Sequence, residues 1–75
     1  MSDVAERIRI GLMEDPRTRR WKVEVSQNEE SILLDGQVFS FYSKQIAQTV
    51  AMNEMAKCNG YAQDLKIQNN LLVIG

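Results

Sequence analysis

No histidine occurs in this chain, and cysteine, tryptophan and proline occur once each. The missing imidazole removes the commonest general base and metal ligand at neutral pH. A single thiol, Cys58, excludes an internal disulfide, so 75 residues must be held by packing alone. Cys58 also falls near an expected helix C-terminus, where the dipole disfavours the thiolate that a nucleophile needs. No glycine-rich loop of the Walker or dinucleotide type is present. Adjacent carboxylates occur at Glu14-Asp15 and Glu29-Glu30, both at expected element ends, where they read as solvated caps. The expectation is a non-enzymatic protein with no catalytic residues, no cofactor and no metal site.

An excess of either charge is lacking too. Nine lysines and arginines face ten acids, a net charge of −1 with a sequence pI of about 5.3. Affinity for a phosphate backbone usually rests on a basic surplus, so nucleic acid is disfavoured as a partner. No apolar run approaches the roughly 20 residues that span a bilayer. Near the N-terminus stand Asp3 and Glu6, where a secretory leader needs a basic start and an unbroken apolar stretch. Read as written, the chain is expected to be cytoplasmic.

What is present is the composition of one ordinary globular domain, residues 1–75, with 44% hydrophobic and 25% charged residues. A chain this short buries only about 60% of the surface it exposes when unfolded, so its core must be small. Asp3 with Glu6 offers a helix start, and Val4, Ile8 and Leu12 then draw one apolar stripe. Asp15-Pro16 should end that helix, because proline disfavours helical geometry in the residue before it.

Trp21, Val23 and Val25 alternate with polar residues, as do Ile32, Leu34, Gly36 and Val38. With a polar turn at 27–30 between them, these predict an antiparallel hairpin. Gly36 in mid-strand predicts a close approach over it, with a crossing helix as the natural candidate. Ser40 can cap a second helix over about residues 41–57. In it Tyr42, Ile46 and Val50 form one row and the small residues Ala47 and Ala51 a second, suited to lying close on a sheet. Asn59 or Gly60 would end it. Leu65, Ile67, Leu71 and Val73 then predict a third strand, with Asn69 as its one polar inward residue. A strand–helix–strand connection is usually a right-handed parallel crossover, which sets strand three beside strand two. The expected fold class is α+β: an αββαβ two-layer sandwich, two helices on one face of a three-stranded mixed sheet.

The run Val4, Ile8, Gly11-Leu12, Asp15-Pro16 resembles the first helix of the BON domain, the bacterial osmotic-shock and nodulation domain. Leu34-x-Gly36-x-Val38-x-Ser40, followed by Ala47 and Ala51, resembles that family's second strand and second helix. Asn69-Asn70-Leu71-x-Val73 resembles its last strand. The likeness covers nearly the whole chain in order. The family's valine-proline-glycine-valine-like turn is replaced here by the longer stretch 52–61. Family members also tend to be exported and to carry several copies, unlike the single copy here. The resemblance implies a domain that attaches to phospholipid surfaces or to other envelope proteins, without catalysis and without a fixed set of functional residues.

Two surface features could carry such binding. Arg17, Arg19, Arg20, Trp21 and Lys22 gather basic and aromatic side chains with no acid among them. Guanidinium groups pair bidentately with phosphate, and indole favours the boundary between apolar and polar media. The plainer reading makes Trp21 part of the core and the arginines solvated, with Glu14, Asp15 and Glu24 diluting their field. The second feature is the sheet face away from the helices, where Leu33 and Leu72, with Phe39 and Ile74, form a candidate association face for a homodimer or another protein. Scattered surface apolar residues are otherwise normal. Met52 and Met55 are the remaining adaptable pair, with Met55 expected in the core. Two other readings stand beside the interaction module. One is an RNA-binding domain like the KH domains, whose Gly-x-x-Gly clamp is missing here. The other is a structural piece of a larger protein.

Overall fold

A computed structural model of the chain describes residues 4–28, 30–57 and 65–74. Helix α1 spans Val4–Glu14, strand β1 Val23–Gln27 and strand β2 Ser31–Val38. Helix α2 follows at Phe41–Ala56, then the short strands β3 at Lys66–Asn69 and β4 at Leu72–Val73. The fold is α+β, two helices with a mixed sheet, in the order expected from the pattern.

Strand β2 is central. It pairs antiparallel with β1, Val23 opposite Gly36 and Gln27 opposite Ile32. On its other side it pairs parallel with β3 and then with β4. Having neighbours on both edges and helices above, β2 carries the deepest side chains: Ile32, Leu34 and Val38 are fully buried. Each such side chain contributes about 1.5–3 kcal/mol by leaving water. Val4, Ile8 and Leu12 of α1 close over them, together with Ala47, Val50, Ala51 and Met55 of α2. Met55 lies in the core as expected and Met52 is exposed.

Three expectations need correction. The approach over Gly36 comes from the neighbouring strand, not from a helix. A Cβ on Gly36 would collide with the Lys22 carbonyl oxygen, and its φ of +133° is one that only glycine adopts readily. Secondly, the buried row of α2 is Ser43, Ala47, Val50, Ala51 and Met55, which leaves Tyr42 exposed. The small Ala47 and Ala51 face the sheet because only they allow the helix to come close, and four residues before Ala47 stands Ser43.

Thirdly, the expected third strand is two short ones. Its register is the same on both sides of the gap, Ser31 opposite Lys66 and Val38 opposite Val73, so no residue is inserted. The interruption is local. The Asn69 amide donates to the Lys44 carbonyl and to Gln48 Oε1 of α2, each at 3.1 Å, while its Oδ1 accepts from the Leu71 backbone N–H at 3.2 Å. The inward polar residue thus ties the sheet edge to the helix above. The capping residues expected at Asp3 and at 58–60 lie outside the described residues.

Candidate binding surface

The segment between α1 and β1 is wound rather than loose. Asp15 N–H donates back to the Gly11 carbonyl, the Thr18 and Arg19 N–H groups both donate to the Asp15 carbonyl, and Trp21 N–H donates to the Thr18 carbonyl. At its centre Thr18 is buried, its hydroxyl donating to the Leu12 carbonyl at 2.5 Å. Proline at 16 stops α1, and Thr18 then takes up a carbonyl that the helix end would leave unpaired.

With Thr18 turned inward, its neighbours turn outward. Arg17, Arg19, Arg20 and Lys22 are all exposed, and Trp21 is half-buried against the core, as its phase with Val23 and Val25 predicts. The four cations are not equivalent. Asp15 Oδ1 accepts from the Arg17 backbone N–H at 2.8 Å and from its Nε at 3.1 Å, and Oδ2 from Nη2 at 3.0 Å. Those hydrogen bonds hold the Asp15 carboxyl below its usual range and raise the Arg17 guanidinium. Arg17 is therefore committed locally. Arg19, Arg20 and Lys22 form no ion pair among the described residues.

The open sheet face carries Glu24 and Ser26 from β1, Leu33, Asp35 and Gln37 from β2, and Lys66, Gln68 and Leu72 from the last two strands. Leu33 is half-buried and sits between Ser26 and Gln68, whereas Leu72 is opposite Gln37. The two leucines share a face but lie four positions apart along β2, so they do not touch as one patch. Leu72 instead belongs to the end of the sheet where β2 gives way to α2. There the Ile74 N–H donates to the Val38 carbonyl at 2.8 Å, which brings Ile74 alongside Phe39.

That junction gathers Phe39, Leu72 and Ile74, expected on the open sheet face, with two residues whose exposure the sequence pattern did not show, Phe41 and Tyr42. Phe39, Phe41 and Tyr42 are 70%, 72% and 70% exposed, and Leu72 is 57% exposed. Ser40 fixes the turn by accepting the Ser43 N–H on its hydroxyl at 3.0 Å. The cap draws Ser43 inward and so leaves Phe41 and Tyr42, in the first turn, facing water. Extending the Ala51–Ala47 row back to Ser43 is the signal that could have found them. The same end of the molecule carries the cations, since Val23, the residue after Lys22, pairs with Gly36 near the end of β2.

Other concavities offer less. The cleft lined by Gly11, Glu14, Asp15, Asn53, Glu54 and Lys57 is polar and open, and Glu54 lies over Gly11 while pairing with Lys57 at 3.0 Å. Among the described residues no cluster of acids or thiols is arranged to hold a metal ion. No helix among them is long and apolar enough to cross a membrane. Compared with known protein families, with curated proteins and with solved structures, the chain matches none.

Proposed function

We propose that this chain is a non-catalytic interaction module that attaches to an anionic phospholipid surface through its basic loop. The observation that carries the reading is the asymmetry of that loop: Arg19, Arg20 and Lys22 project from a wound, Thr18-centred turn with no acid paired to them. A rigid turn that presents several cations loses little conformational freedom on binding. The resemblance to BON domains supports the same assignment.

Each cation near an anionic surface contributes about 1 kcal/mol, so the three unpaired ones together give about 3 kcal/mol, a weak and salt-sensitive attachment. Co-sedimentation with phosphatidylglycerol-containing and pure phosphatidylcholine vesicles, at low and at high salt, tests this. Pelleting with the anionic vesicles that is lost at high salt supports it. If the protein stays in the supernatant at low salt, the lipid reading fails. Protein association, through the open sheet face, would then be read from sedimentation of the purified chain.

A further inference from the structure

We propose that Phe39, Phe41 and Tyr42, with Leu72 and Ile74 beside them, form an insertion corner that enters the headgroup–acyl boundary of an anionic bilayer, while Arg19, Arg20 and Lys22 lie against the lipid phosphates. This rests on the attachment reading above and assigns the part of the molecule that penetrates.

Three observations lead to it. The first is exposure: three of the five aromatic residues of the chain stand within four positions of one another, each at least 70% exposed. A 75-residue domain with so small a core would gain from burying them, yet the Ser40 cap draws Ser43 inward and leaves Phe41 and Tyr42 outward. The second is continuity. Pairing of β4 with the end of β2 sets Leu72 opposite Gln37, and the Ile74–Val38 hydrogen bond sets Ile74 beside Phe39, so the apolar surface extends from the helix start onto the open sheet face. A cluster of this kind marks association when it is rimmed by polar groups.

The third is the charge of the rim. Strand pairing brings Lys22 and the basic turn to the same end as Gly36 and Gln37. Aromatic side chains with cations beside them match the two layers of a bilayer surface, acyl chain below and phosphate above. A second copy fits less well, because a two-fold contact on this corner would set the unpaired arginines of both chains against each other. Electrostatic attraction alone is weak, and stable surface attachment needs a second, apolar contribution, which this corner supplies.

The test uses the whole chain and vesicles with brominated acyl chains as a depth-sensitive quencher. Phe41→Trp places an indole at the corner, with Trp21 of the unaltered protein as the comparison. On anionic vesicles at low salt, the added indole should shift to the blue and be quenched well beyond the Trp21 signal of the unaltered protein. The variant Phe39→Ser/Phe41→Ser/Tyr42→Ser should partition about tenfold more weakly while melting like the parent, because the replaced side chains are exposed. If Phe41→Trp pellets with vesicles but its emission and quenching match those of the parent, insertion is overturned and surface attachment by charge stands. If the triple variant partitions like the parent, the corner is likewise overturned. If no form pellets at low salt, the attachment reading falls and the insertion corner falls with it. Binding to single-stranded RNA in place of vesicles would refute both and assign the aromatics to base stacking.

Discussion

The two ends of the sheet are built from the same strands and use their side chains in opposite ways. At the hairpin end, Asn28 Oδ1 accepts three hydrogen bonds: from Glu30 N–H at 3.0 Å, from Ser31 N–H at 2.8 Å and from the Ser31 hydroxyl at 2.9 Å. Ser31 is buried there, and Gln27, Asn28, Glu30 and Gln68 present polar groups to water. At the opposite end the backbone is equally well satisfied, through Thr18 and Ser40, but the side chains left over are Phe39, Phe41, Tyr42, Leu72 and unpaired cations. One end has its polar groups consumed in making a turn. The other makes its turns with the Thr18 and Ser40 hydroxyls and leaves its large side chains available. The contrast teaches that a rigid backbone and a spare surface can be obtained together when small residues carry the local bonding.

Breaking the comparison most severely should be Gly36→Ala. It places a Cβ against the Lys22 carbonyl at a φ that disfavours it, and so separates the basic turn from the end of β2. A loss of about 3 kcal/mol or more in denaturant unfolding is expected. Next comes Thr18→Val, which keeps the shape and leaves the Leu12 carbonyl without its buried donor. It should cost about 2 kcal/mol, against about 1 kcal/mol for Asn28→Ala, because Asn28 is itself exposed and water can enter the position its Oδ1 vacates. Chemical denaturation of the two variants side by side would sharpen the contrast between a buried and a solvated turn. Equal losses would remove it.

Smaller effects should follow from Asp15→Asn. The Asp15 carboxyl is held below its ordinary range by Arg17, so the pair contributes fully above the unfolded value near about pH 4 and loses that contribution as the pH falls through the lower folded value. The parent protein should therefore lose stability below about pH 4 more steeply than Asp15→Asn does in acid melts. The same substitution frees the Arg17 guanidinium, and anionic-vesicle binding should rise about fivefold at low salt.

Much of the architecture was legible because the strands and α1 advertise themselves by period. Val4, Ile8 and Leu12 are one helical stripe, and Ile32, Leu34 and Val38 one strand face; the structure buries all six. The phase of α2 was less plain for a geometric reason. At 3.6 residues per turn, a four-residue row drifts, so Tyr42–Ile46–Val50 and Ser43–Ala47–Ala51 are adjacent rows on nearly the same side. Which one faces the sheet depends on how near the helix can come, a tertiary property set by the small side chains. The exposure of Phe41 and Tyr42 followed from that choice and was hidden with it, whereas Phe39 and Leu72 were legible from the phase of their strands. Gly36 advertised a close approach without saying from where, because a neighbouring strand and a crossing helix leave the same mark in the sequence. The cluster at 17–22 was visible as composition, but Thr18, which shapes it, lies inside the run and carries no charge.

The clasp at Asn69 has a consequence for how copies of this domain meet. In the last strand the Asn70 N–H donates to the Leu34 carbonyl, so the next amide, that of Leu71, faces away from the sheet. Asn69 occupies it with its own side chain. A stray strand sliding along this border would find a donor already engaged and the pleat broken at that point. One asparagine thus acts as a stop against endless sheet growth, in a molecule too small to hide its borders.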